Sequence, residues 1–378
     1  MKNAIEKVIK QPFSSDRDSL GNRSLKFVLA LLSAVYRSVV CSRLLLYRFG
    51  FLKGKRLPCF VLSIGNLAAG GTGKTPMTIH SAKMLLAAGY KVVIISRGYK
   101  RQSGKAVRVV SDGENIHCSV RESGDEAYMM ASSVNCPVIV GKSRYHSGRL
   151  AIEKFNPDVI LLDDAFQHLA LEQDLKLLLL DSRHPFGNGA LLPRGPLREP
   201  VESIGRSDAV VMTRGFGEEG ASVHPRVKEI GVPVFQTFHV TGISRVVVNG
   251  ADTGQSEKSA SSRKKIFLFS AVANNDLFIH SCRELGFHIC GNLEFSDHFW
   301  YTDRDLERVL RRSRETGAEC IGTTEKDYVK IQKWIADLPE LIVFDIEIGL
   351  SKEDGDAFKR FIHNRLTSYQ AKAYGSER

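Results

Sequence analysis

Directly after the apolar run Cys59-Phe-Val-Leu-Ser-Ile64 the chain reads Gly65-Asn-Leu-Ala-Ala-Gly-Gly-Thr-Gly-Lys-Thr-Pro76. A strand, a glycine-rich turn and then Lys-Thr is an order suited to holding a polyphosphate. The N–H groups of Gly70, Gly71, Thr72 and Gly73 can turn inward on the phosphates, and the positive end of the following helix reinforces them. Lys74 can reach the β and γ oxygens and the Thr75 hydroxyl can ligate Mg2+, so ATP or GTP is the expected ligand. The strict pattern requires glycine at position 68, where the chain has Ala68. A merely flexible turn before a helix would need neither the preceding strand nor the Lys-Thr pair.

Carboxylates follow where such a site needs them. The apolar run 159–162 ends in Asp163-Asp-Ala-Phe-Gln-His168, the place where P-loop proteins put an acid that holds Mg2+ directly or through water. Two adjacent acids, Asp163 and Asp164, allow one to serve the metal and the other its water or the lysine; a simple Asp-Asp turn is the alternative. Gly124-Asp125-Glu126 precedes a helical pattern at 127–133, where acids cap the helix and complement its dipole. By residue type alone, capping is the reading for Asp125. His298, among the aromatics of Phe295-Ser-Asp-His-Phe-Trp-Tyr-Thr302, reads by residue type as a packing residue first, with an imidazole oriented by Asp297 as the alternative. The stretch 183–200 is dense in Gly and Pro yet carries Arg183, Arg194, Arg198 and Glu199. Proline stiffening suits a loop that presents arginines to phosphate.

The elements that must position these residues alternate. A helix is expected at about 75–88, ending at Gly89, and a second buried strand at 91–96. Further apolar runs at 137–140, 159–162, 175–180 and 209–212 complete the pattern of a P-loop NTPase-type α/β fold, a mostly parallel sheet with helices on both faces. Ligands of such sheets bind beyond the carboxyl ends of the strands. From 251 to 265 the chain becomes polar and small, a linker. Strands at 266–269, 320–322 and 341–344, with helices at 276–285 and 303–314, then suggest a smaller C-terminal α/β domain. The expected division is a membrane-associating segment 1–56, a P-loop core 57–250, the linker 251–265, the second domain 266–368 and a disordered tail 369–378.

With 378 residues, 43% hydrophobic and 25% charged, the chain can form two ordinary domains. Its seven cysteines are scattered and never spaced Cys-x-x-Cys, so they read as reduced thiols without a zinc site. The first 56 residues carry twelve Lys/Arg against three acids, and no Asp or Glu occurs from Ser19 to Ser111. Such a block attracts polyanions. Placed on a helix, Arg23, Lys26, Arg37 and Arg48 share a sector of roughly 60° with an apolar remainder, which suits a helix in an anionic membrane surface. A soluble amphipathic helix docked on the protein's own core is the alternative. The uninterrupted apolar stretch is about half of a bilayer span, and the segment lacks the position and cleavage site of a secretory signal.

Several blocks together resemble one family. Ser63-Ile-Gly-Asn-Leu with Gly70-Gly-Thr-Gly-Lys-Thr-Pro76, Ser96-Arg-Gly-Tyr99, Gly124-Asp-Glu126, Asp163-Asp-Ala-Phe-Gln-His168, Phe186-Gly-Asn-Gly189, Leu191-Leu-Pro-Arg-Gly-Pro-Leu-Arg-Glu-Pro200, Asp297-His298 and Thr324-Glu-Lys-Asp327 occur in the order seen in tetraacyldisaccharide 4'-kinases. The resemblance covers about residues 20 to 365. It implies phosphoryl transfer from ATP, with Mg2+, to the 4'-hydroxyl of a tetraacylated glucosamine disaccharide 1-phosphate. The site implied is the cytoplasmic face of a Gram-negative inner membrane, with the enzyme peripheral or monotopic. It further implies that Asp125 is the catalytic base and His298 the imidazole that pairs with it. Lys74 and Thr75 would bind the nucleotide, Asp163 and Asp164 would be the Mg2+-associated acids, and Arg198 and Glu199 would lie near the substrate. The chain departs from the family pattern at Ala127, Ala165, Leu169-Ala170, Arg194 and, around Asp297-His298, at Ser296 and Phe299; none of these departures removes a residue assigned to chemistry.

In this reading the partners are an anionic glycolipid substrate and the membrane surface, with neither a nucleic acid nor a protein partner implied. Positioning, charge neutralisation and closure of the two domains against water would carry the reaction. The competing class is a membrane-docking P-loop switch or targeting protein that modifies no lipid. Guanine specificity would call for Asn-Lys-x-Asp, which Thr324-Glu-Lys-Asp327 does not match. Nucleic-acid binding lacks the expected interleaving of aromatic and basic residues.

Overall fold

The computed structural model describes residues 20–215, 223–253 and 264–375. The chain divides into two compact units that interleave along the sequence: residues 1–95, 143–238 and 349–378 form the first, and 96–142 with 239–348 the second. The expected sequential arrangement, core to 250 and second domain from 266, is not how the contacts group. Apolar runs locate strands, but which strands group together is not written in any single run.

In the first unit, six strands succeed one another across the sheet: Val92–Ser96, Val159–Asp163, Phe60–Asn66, Leu175–Asp181, Ala209–Thr213 and Val234–Gln236, all parallel neighbours. Phe60–Asn66, Val92–Ser96, Val159–Asp163 and Ala209–Thr213 are buried at every position. Parallel strands covered on both faces need such continuous apolar runs, since neither face meets water. Pairing of Phe60–Asn66 with Val159–Asp163 sets Ile64 level with Asp163, so the start of the glycine-rich loop and the acidic pair leave the sheet side by side. Gly65 is required there: a Cβ on it would lie 2.6 Å from the Phe166 Cβ.

Helix Lys74–Ala87 follows the glycine-rich loop, and Arg144–Phe155 follows the strand Pro137–Gly141. Helix Lys352–Gly375 runs through most of the segment expected as a disordered tail; Phe358, Ile362 and Leu366 are buried at helical spacing, and Tyr369 stacks edge-on against Phe60 at 5.4 Å between centroids. Residues 376–378 lie outside the described residues.

Helix Leu20–Arg48 also belongs to this unit. It is held by a narrow stripe: Leu29 and Ser33 are buried, the Ser33 hydroxyl donates to the Leu191 carbonyl, Tyr36 donates to the Arg198 carbonyl, and Arg43 donates to the Gln167 carbonyl. Phe27, Leu31 and Val35 remain 72%, 60% and 58% exposed. A soluble helix docked on its own core would bury those residues. By length and composition Ser24–Arg48 also suffices to cross a bilayer, with a mean hydropathy of 1.6.

The second unit contains a six-stranded sheet in the order Ala251–Asp252, Phe238–Val248, Leu341–Gly349, Cys320–Thr324, Lys265–Ser270, His288–Glu294. Its last four strands are parallel. Along Lys265–Ser270, Ile266 and Leu268 pack to one face with Phe278 and Phe344, while Phe267 and Phe269 pack to the other with Tyr301 and Leu306. That two-residue period gives each face its own core. The expected linker begins with the short strand Ala251–Asp252, its residues 254–263 lie outside the described residues, and Lys265 opens the next strand. Residues 96–142 add the antiparallel pair Val107–Asp112 with Pro137–Gly141 and the helix Asp125–Ser133.

Candidate active site

In the first unit the glycine-rich loop is braced from outside. Ala69 N–H donates to the Pro196 carbonyl at 2.7 Å and Arg198 N–H donates to the Leu67 carbonyl at 2.7 Å, so the stiff 183–200 stretch supports the loop's first half. Inside the loop the Asn66 side-chain amide donates to the Thr72 hydroxyl at 2.7 Å. Arg214, at the end of strand Ala209–Thr213, donates to the Gly71 carbonyl and forms an ion pair with Asp181 at 2.6 Å. A carbonyl held on the outer side of a phosphate-binding loop leaves the neighbouring N–H groups to face inward.

Lys74 donates to the Gly70 carbonyl at 3.4 Å and stands 3.9 Å from Asp164. Arg198 places Nη1 2.9 and 3.0 Å from the two oxygens of that carboxylate. Burial alone would raise the Asp164 pKa, but the Lys74 and Arg198 charges outweigh it and hold the carboxyl below the usual range. Asp163 is almost fully buried, with Oδ1 accepting from the Thr78 hydroxyl at 3.3 Å. Thr78 lies one helical turn after Thr75. Hard oxygen donors, a Thr75 hydroxyl and an Asp163 carboxylate beside the same turn, fit Mg2+, which takes most of its ligands from phosphate and water. No cluster of three or more His, Cys, Asp or Glu that could hold a metal occurs among the described residues. Glu199 does not join this group: it is buried and ion-paired to Arg206, a brace for the loop that carries Arg198.

The second unit contains the other expected pair. Gly124 precedes helix Asp125–Ser133 with φ 88°, and a Cβ there would lie 2.8 Å from the Tyr99 carbonyl, so only glycine turns the chain to present Asp125 as the first helical residue. The Asp125 carboxylate is buried, and His298 Nδ1 lies 2.8 and 3.1 Å from its oxygens. Lys326 Nζ is 3.4 Å from His298 Nε2. An ammonium can only donate, so Nε2 accepts and Nδ1 carries the proton that is donated to Asp125. The Tyr99 ring packs edge-on against the imidazole at 5.2 Å. Lys326 also pairs with Asp297 at 2.9 Å and stands 3.9 Å from Glu126.

Three bulky residues in this inventory, Asp164, Arg214 and His298, have positive φ of 47°, 60° and 59°. Left-handed backbone at such residues costs about 1–2 kcal/mol each and gathers where geometry is imposed for function.

A parallel sheet with a glycine-rich loop after one strand and an acid after its neighbour defines a P-loop phosphate-binding protein. A family model described as Tetraacyldisaccharide-1-P 4'-kinase matches residues 25–367. A tetraacyldisaccharide 4'-kinase of Desulfatibacillum aliphaticivorans is 37% identical over 345 residues, 90% of this chain and 92% of its own length. One from Pelobacter propionicus is 39% identical over 324 residues, 84% and 86% of the two chains. Among solved structures, LpxK from Aquifex aeolicus in complex with ATP superposes with a TM-score of 0.73 at 32% identity, covering 90% of this chain and 99% of that one. The chain belongs to the tetraacyldisaccharide 4'-kinase family.

Residue reasoning did not single out Arg214, Asp181, Lys326 or Lys330. Lys326 lies within Thr324-Glu-Lys-Asp327, a block that carries the family resemblance and fails as a guanine-binding motif without giving Lys326 a role of its own. Lys330 follows Lys326 by four residues, one helical turn, and that spacing was the available signal.

Proposed function

We propose that the protein transfers the γ-phosphate of ATP to the 4'-hydroxyl of a tetraacylated glucosamine disaccharide 1-phosphate, in lipid A biosynthesis. The observation that carries this reading over a non-enzymatic switch is the buried Asp125–His298 pair. A switch needs a nucleotide site but no second carboxylate held by an imidazole; a kinase needs a group to receive the acceptor's proton. Family membership and the ATP complex of the Aquifex aeolicus relative support the donor and acceptor classes.

Lys74 and Arg198 neutralise the polyphosphate, and Asp164 orients both cations before the nucleotide arrives. Thr75 and Asp163, with Asp164 assisting through Lys74, would hold Mg2+, which supplies charge to the β and γ oxygens when bound. Asp125 takes the proton of the attacking hydroxyl, and His298 holds the carboxylate in one orientation by donating from Nδ1. The apolar helix Leu20–Arg48 and its basic flank suit an enzyme whose substrate resides in an anionic membrane. ATP and lipid then meet at the cytoplasmic face of the inner membrane, with the protein peripheral or monotopic.

The test is direct transfer. Purified protein with Mg2+ and γ-labelled ATP should label a tetraacylated disaccharide 1-phosphate in mixed micelles faster than it releases inorganic phosphate without lipid. Brisk hydrolysis with no labelled glycolipid would establish the switch instead.

A further inference from the structure

We propose that Lys330, paired with Asp327 beneath Asp125, is a positioning residue that holds the Asp125 carboxylate in place and in its proton-accepting anionic form. The inference rests on the kinase reading and adds a residue to its acceptor side.

Lys330 Nζ is wholly buried, 2.7 Å from Asp327 Oδ1 and 3.9 Å from Asp125 Oδ2. Asp327 is also wholly buried, and its Oδ2 accepts from the Ala271 N–H and the Thr324 hydroxyl, each at 2.8 Å. The Tyr301 ring lies 5.5 Å from the ammonium. Both partners sit on helix Glu325–Ile331, which packs along helix Asp125–Ser133. Asp327 is therefore pinned by backbone and hydroxyl, and Lys330 is pinned by Asp327, so the cation reaches Asp125 from a fixed position.

A buried ion pair is a poor source of stability, because taking two charges out of water costs about as much as their attraction returns. Well-packed apolar residues of the same volume would serve the core equally well. The third group at this pair, the Asp125 carboxylate, gives the arrangement a purpose: a buried anion is secured by a nearby fixed cation far more strongly than at the surface. The groups facing Asp125 are His298, Lys326 and Lys330; Glu126 and Asp297 face Lys326 and His298, and Asp327 and Tyr301 lie behind Lys330. Burial pushes the Asp125 carboxyl up, while the His298 hydrogen bond and the charges of Lys326 and Lys330 bring it below the usual carboxylate range. Asp125 accepts protons only above its own pKa, so removal of a cation raises that pKa and moves the acidic limb of activity to higher pH.

The experiment compares Lys330→Met, Lys330→Arg and the neutral pair Asp327→Asn/Lys330→Met. The acidic limb of kcat/KM for the acceptor should move up by about half a pH unit or more in both Met variants, stay in place in Lys330→Arg, and leave KM for ATP within about twofold of the parent. The Asp125 carboxyl, followed by carboxyl-carbon NMR in the same proteins, should titrate at higher pH in the Met variants. That readout needs no turnover, so it tests the pair even if the parent protein labels no glycolipid and the kinase reading fails. A folded neutral-pair variant with unchanged acidic limb and unchanged titration overturns the proposal. Failure of both Met variants to fold does so too, by assigning the pair to the core.

Discussion

Lys74 is held by the Gly70 carbonyl and by Asp164, and Asp164 is held in turn by Arg198. The carboxylate therefore stores two cations at the phosphate site, and each can transfer to phosphate oxygens. Lys74→Ala should lower kcat by two to three orders of magnitude, the scale expected when charge stabilising a phosphoryl transition state is removed. Its melting temperature should stay within about 2 °C of the parent, since the substitution leaves the apolar core intact. Near-normal transfer by this variant would remove Lys74 from the mechanism. Asp164 also carries a pH signature. Its folded-state pKa lies below the ordinary value of about 3.9, so its ionic contribution to stability is complete above that value and is lost as pH falls through the folded pKa. Melting temperature followed from pH 6 to pH 2.5 should fall less steeply in Asp164→Asn than in the parent. An equal slope would show that Arg198 and Lys74 do not stabilise this carboxylate. The phosphate loop was legible because strand, glycines, Lys74 and Thr75 are contiguous. The Asp125–His298 pair was legible only through family resemblance, since 173 residues separate the partners and by residue type each has an adequate structural reading as cap or packing group.

At the scale of elements, the phosphate-binding loop depends on its neighbours. The 183–200 stretch braces it at Leu67 and Ala69, and Arg214 braces it at Gly71. Arg214 is fixed by Asp181, at the end of the neighbouring strand Leu175–Asp181, and adopts an uncommon backbone conformation with φ 60°. Arg214→Ala should raise KM for ATP about tenfold, the worth of one charge-assisted hydrogen bond, and leave KM for the lipid unchanged. Asp181→Asn should act in the same direction, and the double variant should be no worse than Arg214→Ala, because one residue works through the other. Additive losses would separate the two. Fully apolar strands were readable as runs, whereas His288–Glu294 and Phe238–Val248 were missed. They carry His288, Asn292, Glu294, His239 and Arg245 at half-buried or exposed positions, so neither a continuous run nor a clean alternation marks them. The last turns of the C-terminal helix were read as a tail because, after Ser368, Tyr369 stands among small and polar residues such as Gln370, Lys372 and Gly375.

For the whole molecule, composition marks a basic, polyanion-attracting N-terminal segment, while the interleaving of the two units along the sequence left no trace in composition. Twelve basic residues in the first 56, and a helix anchored along Leu29, Ser33, Tyr36 and Arg43, leave Phe27, Leu31, Leu32, Val35 and Val39 facing outward. Each such side chain moved from water into acyl chains contributes up to about 1.5–3 kcal/mol, and a basic flank adds attraction to anionic headgroups. Membrane affinity should therefore reside in this outward face, separable from the stripe that docks the helix. Leu31→Glu, Leu32→Glu and Val35→Glu together leave Leu29, Ser33 and Tyr36 in place, so the fold and ATP binding should survive. Three carboxylates in the apolar face cost several kcal/mol at the interface and introduce repulsion from anionic lipid. In flotation with vesicles containing anionic phospholipid, the parent protein should rise with the lipid and the triple variant should remain below. The variant's KM for a tetraacylated acceptor presented in vesicles should increase, while KM for ATP stays constant. If the triple variant floats like the parent, the outward face of Leu20–Arg48 is not the membrane-binding surface, and the basic residues alone must account for attachment.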